Sequence, residues 1–275
     1  MSQVPAPTTI YDFGCNNGDN IPYYLQKAER VVAVEANPTL ATNVRQRFST
    51  EIASGRVIVE NCVLAPSPAG PVEFYIHKWN SVLSQFPRPK DAYIAEFEKV
   101  VLPSKRPSDI ILAFGQPLYV KVDIEHSEQV VLEEVFNRSL RPPYISAESH
   151  DVEVFATMVA LGKYSAFKLV DGASVSIRFR NHIINGRTGD VPYSFPVHSA
   201  GPFGTDLPGP WLSAQDFFYQ LAHSGLGWKD IHATNTVQPE STLRDEQALQ
   251  HVPFSRLARE VLPSFVRALK RRLQR

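Results

Sequence analysis

Two acidic residues lie where predicted strands end, and a glycine-rich turn lies between them. Asp12 falls in the stretch TIYDFGCNNGDN, and Glu35 closes the apolar run of VVAVEANP. Gly14 and Gly18 in that turn would let the backbone pass close to a ligand, because glycine carries no Cβ. A carboxylate at the end of the second strand is placed to accept hydrogen bonds from two ribose hydroxyls. The pattern therefore predicts a site for a nucleoside-containing ligand across two adjacent strands.

The turn does not match two common phosphate-binding motifs. The dinucleotide motif G-x-G-x-x-G requires a glycine where this chain has Asn16, and the Gly-Lys-Ser/Thr of a P-loop does not follow Gly18. The carboxylate of Asp12 also disfavours a pyrophosphate. It suits a cationic ligand with a free amino group, such as S-adenosylmethionine. The alternative interpretation is a glycine-rich turn that only joins a strand to a helix.

A second group of charges follows in the stretch PLYVKVDIE. Lys121, Asp123 and Glu125 alternate there, so on a strand they would share one side. Three charges on a central strand are costly unless they pair with each other, with a ligand or with a metal. One interpretation makes Asp123 or Glu125 a general base for an acceptor hydroxyl, with Lys121 orienting it. The other is an ion-paired strand end that fixes the following helix.

The sequence assigns no metal ligands, and a metal cofactor is not expected. Cys15 and Cys62 form no CxxC pair, so a zinc site of the usual spacing is excluded. The alternative is a divalent ion held by Asp123, Glu148 and His150, since Glu148 ends the next predicted strand and would reach the same cleft, and His150 follows it.

Four stretches together resemble one family. DFGCNNGDN, VVAVEANP, YVKVDIEHSEQVVLEEV and YISAES, in this order, are similar to the motifs of FkbM-type S-adenosylmethionine-dependent methyltransferases, over about residues 10–149. The resemblance implies a class I methyltransferase fold and O-methylation of a hydroxyl on a small molecule or a sugar. One departure is His126, which stands where the family has glycine, and it bears on the acceptor pocket.

The same resemblance implies which residues bind the cofactor and which act on the acceptor. The residues expected to bind S-adenosylmethionine are Asp12, Gly14, Asn16 and Gly18 around its methionine part, Glu35 at the ribose, and Ala36 and Asn37 beside the adenine. Asp123 and Glu125 are expected on the reaction side, with Lys121 next to them. Two other functions are weighed against this one. They are a non-catalytic cofactor-binding scaffold or sensor, and an NAD-linked oxidoreductase, which the missing middle glycine disfavours.

These side chains need a sheet whose strands end at one edge, and the order of elements predicts one. Strands over residues 8–13, 31–34, 57–63, 117–125 and 142–149 alternate with helices over 21–29, 38–48, 127–137 and 152–161. This alternation predicts an α/β fold with a doubly wound, mostly parallel, Rossmann-like sheet. Residues 164–171 and 174–181 are expected to close it as an antiparallel pair across the turn at Asp171 and Gly172.

The predicted domain organisation has one main domain and an extension. Residues 1–185 are expected to form the cofactor-binding domain, with an insertion at about 66–116. We expect that insertion to contain a strand at 72–76, a helix at 91–101 and a loop at 102–109. Residues 186–275 are expected to form an extension with a long loop, a helix over 211–221 and a basic terminal helix.

Composition narrows the classes of partner. A chain of 275 residues with 43% hydrophobic residues can bury a core without disulfides, and its formal net charge of zero gives no reason to expect nucleic acid. Two cysteines, no apolar run of about 20 residues and no signal-like start indicate a cytoplasmic location. The basic stretch at 267–275 is expected to be a solvated helix end, with docking on an anionic membrane surface as the alternative.

Overall fold

The computed structural model describes residues 7–67 and 70–240. Its strands are β1 (Thr9–Phe13), β2 (Arg30–Val34), β3 (Val57–Glu60), β4 (Val63–Leu64), β5 (Val72–His77), β6 (Phe97–Leu102), β7 (Ser104–Lys105), β8 (Pro117–Val122), β9 (Tyr144–Ser149), β10 (Ala166–Asp171), β11 (His182–Gly186), β12 (Gly189–Tyr193), β13 (Leu212–Ser213) and β14 (Gly227–Thr234). Its α-helices are α1 (Ile21–Lys27), α2 (Pro38–Arg47), α3 (Ser49–Ala53), α4 (Pro107–Phe114), α5 (Glu128–Asn137), α6 (Val152–Ala160), α7 (Val175–Arg178) and α8 (Ala214–Ser224).

Eight of the strands form the central sheet, in the order β13-β10-β14-β9-β8-β1-β2-β3. The neighbours from β3 through β2, β1 and β8 to β9 are parallel. β14 runs antiparallel to both β9 and β10. The inner runs RVVAV and PLYVKV are almost entirely buried, as strands covered on both faces must be. The prediction of an α/β fold with a mostly parallel, Rossmann-like sheet is confirmed.

The strand that closes the sheet is not the one predicted. β10 pairs with β14 from Ala166 opposite Thr234 to Asp171 opposite Lys229. Residues 174–181, which were expected to pair with it, instead contain the short helix α7. The sequence pattern does not predict β14, because its run GWKDIHAT mixes charged residues with apolar ones. Two of those polar side chains, on Asp230 and His232, are buried within the sheet.

The insertion also differs from its prediction. The helix expected at 91–101 is wrong, since β6 occupies most of that stretch and pairs antiparallel with β5. Lys99 of β6 forms an ion pair with Glu73 of β5 at 2.6 Å, and Leu102 packs against Phe74. The loop expected at 102–109 contains β7 and the start of α4, which begins at Pro107, a residue that a first helical turn tolerates. Pairing with a distant strand decides the structure of this segment.

One face of the sheet carries a row of buried polar residues near its carboxyl edge. Asp12 of β1 lies opposite Lys121 of β8, which lies opposite Ser146 of β9. Ser146 in turn lies opposite His232 of β14. Because strand neighbours in register project to the same face, these four side chains form a continuous row under the edge where the candidate site lies.

The central sheet contains strands from both sides of the predicted domain boundary at residue 185. β13 pairs with β10, and β14 lies between β9 and β10, although both strands fall in the predicted extension. The boundary itself stays a prediction, and the basic terminal helix lies outside the described residues. No helix in residues 7–67 and 70–240 combines the length and apolar composition needed to cross a bilayer.

Candidate active site

A cleft of about 650 Å³ opens at the carboxyl ends of β2, β1, β8 and β9. Ligand sites in open α/β sheets occur at this edge. The predicted site residues that line the cleft are Gly14, Asn16, Glu35, Ala36, Lys121, Asp123 and Glu125. Three others, Asp12, Gly18 and Asn37, lie behind its wall. The structure therefore brings the two predicted groups together, one from β1 and β2 and the other from β8.

Glu35 ends β2 with its carboxylate fixed inside the cleft. One oxygen accepts a hydrogen bond from the backbone N–H of Asn16, and the other accepts one from that of Asn37, each at 2.8 Å. A carboxylate offers about four acceptor sites, so each oxygen retains capacity for a further donor. Burial raises the pKa of Glu35 to about 7, although the two backbone donors oppose that shift.

Asn37 and Asn61 shape the turn that carries Glu35. The side chain of Asn37 accepts hydrogen bonds from Thr39 and Leu40 and so caps the start of α2, instead of facing the cleft. The amide of Asn61 donates to the carbonyls of Glu35 and Ala36, at 2.8 and 2.9 Å. Sequence reasoning missed Asn61, because it depends on β3 ending beside β2.

Neighbouring protein atoms leave no space for a side chain at either glycine of the turn. A Cβ at Gly14 would lie 1.7 Å from the carbonyl oxygen of Asp123, and the residue has φ +85°. A Cβ at Gly18 would lie 2.9 Å from the ring of Phe48, at φ +78°. Gly14 also lines the cleft, so its lack of a side chain brings β8 and the cleft close to β1.

Asp12 lies beneath the cleft, in a position without solvent exposure. Neither of its carboxylate oxygens accepts a hydrogen bond from the part of the chain that the structure describes. Its nearest charged neighbour is the amine of Lys121, at 3.7 Å. Burial raises the pKa of Asp12 to about 6, against the attraction of Lys121. This carboxylate acts on the cleft through its charge and through Lys121.

Lys121 connects the turn after β1 to the turn after β8. Its amine lies 2.9 Å from the carboxylate of Asp123 and 3.5 Å from the carbonyl oxygen of Gly14. Although burial opposes it, Lys121 lowers the pKa of Asp123. β8 ends at Val122, so the strand predicted over 117–125 is too long. Asp123 and Glu125 lie beyond the end of β8, so the prediction that they share one side of a strand with Lys121 is wrong.

Glu125 reaches the cleft through a left-handed turn. Glu125 and His126 have φ of +53° and +67°, a conformation that glycine adopts without strain. The resemblance places a glycine at His126, and the structure gives the backbone reason for that preference. In this chain the imidazole of His126 lies against that of His150, with ring centroids 4.6 Å apart.

Glu125, Glu128 and Glu148 surround His150 at the end of β9. The Nε2 atom of His150 lies 3.0 Å from Glu148, 3.5 Å from Glu125 and 3.9 Å from Glu128. Burial raises the pKa of Glu125 to about 8, that of Glu128 to about 7, and that of Glu148 as well. Burial would lower the pKa of His150, but the three carboxylates raise it to about 9. Sequence reasoning named Glu148 and His150 and missed Glu128.

The far end of the cleft has a roof of both polar and apolar residues and a rim of two rings. Residues of the insertion that line it are Asn80, Ser81, Val82, Leu83, Ser84 and Phe86. The hydroxyl of Ser127 donates to the carbonyl of Phe86 and joins this roof to the turn after β8. At the rim the rings of His198 and Trp228 stack at 5.5 Å. Sequence reasoning missed both rings, because neither belongs to a recognisable motif.

Comparisons with known proteins return likenesses in fold. No family model matches the chain, and no curated protein does either. The solved structures it resembles include the methyltransferase FkbM of Methylobacillus flagellatus KT, at 15% identity and a TM-score of 0.40, over 60% of this chain and 40% of that one. The aligned part thus spans well under half of that protein.

Two further methyltransferases resemble the chain. Precorrin-6y C5,15-methyltransferase of Geobacter metallireducens GS-15 matches at 13% identity and a TM-score of 0.34, over 61% of this chain and 69% of that one. Geranyl diphosphate methyltransferase, solved in complex with SAM, matches at 12% identity and a TM-score of 0.38, over 86% and 81%. All three TM-scores are below 0.5, so these are likenesses of fold only.

Proposed function

We propose that the protein binds S-adenosylmethionine in this cleft and transfers the methyl group to a hydroxyl of a small-molecule or carbohydrate acceptor. The observation that carries the proposal is the carboxylate of Glu35. Two backbone N–H groups fix it at the end of β2, and both oxygens keep acceptor capacity toward the cleft. A carboxylate held in this way suits the two adjacent hydroxyls of a ribose.

The surroundings of Glu35 fit the rest of the cofactor. On the β3 side the cleft wall is apolar and suits a flat adenine ring; it consists of Ala36, Leu40, Cys62, Val63 and Leu64. On the other side the sheet order leads past Gly14 to Asp123. A carboxylate on that path suits the ammonium and sulfonium charges of the methionine part.

The residues of β8 and β9 fit the acceptor side. When bound, S-adenosylmethionine supplies an electrophilic methyl carbon, and transfer depends mainly on alignment of the acceptor oxygen with it. Transfer would form the new C–O bond as the methyl–sulfur bond breaks and S-adenosylhomocysteine leaves. The hydroxyl proton becomes acidic in that step, so a weak base suffices to take it. Asp123 is the proton acceptor in our proposal, because Lys121 keeps it ionised. Lys121 acts as a positioning residue.

Titration calorimetry with S-adenosylhomocysteine and with NAD tests the cofactor assignment. We expect saturable heat with S-adenosylhomocysteine at one site per chain and none with NAD. The opposite pattern would favour the oxidoreductase, and heat with neither would remove the nucleoside site. The scaffold alternative is tested separately, by transfer of labelled methyl groups to a panel of sugars and hydroxylated small molecules.

A further inference from the structure

The groups around His150 have the separations of ligands on one ion. One ligand atom from each of Glu125, Glu148 and His150 lies within 4.8 Å of the other two. The Nε2 atom of His150 lies 3.0 Å from Glu148 and 3.5 Å from Glu125. Both separations are shorter than twice the bond of about 2.0–2.2 Å from a divalent metal to imidazole nitrogen or carboxylate oxygen, so one ion can bridge each pair. Ligand atoms of a second set, Asp123, Glu128 and Glu148, also lie within 4.8 Å of one another, and this set shares Glu148.

One of these polar groups lacks the hydrogen bond that a buried group normally has. The Nε2 atom of His150 is fully buried, and no atom of residues 7–67 and 70–240 meets it in hydrogen-bonding geometry. It faces the side chain of Glu148, which is only 9% exposed. The two groups approach to 3.0 Å, but outside hydrogen-bonding angles. A buried polar atom without a hydrogen-bond partner requires an explanation, and an ion bound at that position is one.

The cluster holds more carboxyl groups than basic groups. Four carboxyl groups lie in it, on Asp123, Glu125, Glu128 and Glu148, and the imidazole of His150 is the basic group within 4 Å of three of them. The amine of Lys121 pairs with Asp123 and with Asp12 instead. A divalent cation among these carboxyl groups would supply two positive charges at one point and favour their ionised forms.

We propose that Glu125, Glu148 and His150 bind a divalent metal ion of the first transition series. An imidazole nitrogen with carboxylate oxygens is a donor set that suits such ions. Asp123 and Glu128 lie next to the ion and supply either a further ligand or negative charge. This differs from the set expected from sequence, in which Asp123 took the place of Glu125.

The position of the ion gives it a role that rests on the proposed function. It lies at the end of β9, on the acceptor side of the cleft, beyond the path of the cofactor. There it would bind the acceptor oxygen, stabilise its negative charge as the proton leaves, and orient it toward the methyl carbon. The acceptor class that this favours is a hydroxyl with a neighbouring oxygen, since two oxygens can bind one ion.

Electron paramagnetic resonance of free Mn²⁺ tests the site without any turnover. The full chain, stripped with a chelator, is titrated with Mn²⁺ in the absence of cofactor. We expect one Mn²⁺ bound per chain, and at least about tenfold weaker binding in His150→Gln and in Glu148→Gln. The matched controls His223→Gln and Glu98→Gln change the same residue types at exposed positions and should bind Mn²⁺ as wild type does.

S-adenosylhomocysteine binding, measured on each variant, separates the two proposals. A variant that keeps this binding and loses Mn²⁺ supports the metal site, whatever the methyl acceptor is. Failure of the wild-type chain to bind Mn²⁺ saturably, or wild-type Mn²⁺ affinity in His150→Gln, would overturn the proposal. Should both variants fail to fold, Glu125→Gln, which changes the third ligand of the same set, provides the decisive comparison.

Discussion

An oxygen of Glu35 accepts a hydrogen bond from the backbone N–H of Asn16, 19 residues away, at 2.8 Å. This contact fixes the end of β2 to the turn after β1 and keeps the carboxylate at the mouth of the cleft. The other oxygen is held by Asn37 in the same way. The orientation of Glu35 is therefore set before any ligand arrives, which reduces the entropic cost of binding a ribose.

Replacement of Glu35 tests that arrangement. Glu35→Ala should weaken S-adenosylhomocysteine binding by about 2–3 kcal/mol, because a charge-assisted pair of hydrogen bonds to the ribose is lost. Titration calorimetry measures the change. Glu60→Ala is the matched control, since Glu60 ends the neighbouring strand β3 and pairs with Lys105 outside the cleft. Equal affinities in Glu35→Ala and wild type would contradict the ribose assignment.

The pH dependence of cofactor binding follows from the same carboxylate. Burial raises the pKa of Glu35 to about 7, so the group loses its charge as pH falls through that value. Ribose hydroxyls donate better to the ionised form, and S-adenosylhomocysteine affinity should therefore fall about tenfold from pH 8 to pH 6. The Glu35→Gln variant should bind weakly with a flatter profile. An unchanged slope in that variant would assign the titration to another group.

Gly14 sets how closely β1 and β8 approach. In Gly14→Ala the new Cβ would lie 1.7 Å from a backbone oxygen, at φ +85°, so we expect a loss of at least about 3 kcal/mol in the free energy of unfolding. Gly55→Ala is the matched control: it also has positive φ, +73°, but no atom lies within 4 Å of its Cβ position. Only backbone strain of about 1 kcal/mol is expected there. Urea denaturation compares the two, and similar losses would contradict the close approach.

Lys121 compensates two carboxylates within the sheet. Lys121→Met should cost about 3–5 kcal/mol of stability, because Asp12 has no exposure and pairs with no other cation of residues 7–67 and 70–240. Adding Asp12→Asn should restore part of that loss. Lys99→Met is the control, since the ion pair of Lys99 with Glu73 is exposed and contributes less than about 1 kcal/mol. A double variant no more stable than Lys121→Met would show that Asp12 is compensated elsewhere.

Much of the fold was predictable because local patterns and tertiary pairing agree over the first half of the sheet. The apolar runs that became β1, β2, β8 and β9 are each followed by a turn with polar or charged residues and then by a helix. β14 was not predictable in this way, because Asp230 and His232 interrupt its apolar pattern. They lie opposite Glu148 and Ser146 of β9, more than 80 residues earlier in the chain.

The site was predictable in its composition and less so in its geometry. Motif spacing identified Glu35, Asp123 and Glu125, which the structure places in one cleft. It did not reveal that Gly14 packs so closely against the backbone of Asp123 that a side chain would not fit. Nor did it reveal that Glu125 reaches the cleft through a backbone with positive φ. Those features depend on contacts between segments about 110 residues apart, which no local pattern records.

A crystal structure of the protein with S-adenosylhomocysteine tests the central claim most directly. We predict both ribose hydroxyls within about 2.7–3.2 Å of the Glu35 carboxylate, the adenine against Leu40 and Leu64, and the amino acid part directed toward Asp123. A ligand bound elsewhere, or one whose ribose contacts a residue other than Glu35, would contradict the proposed function.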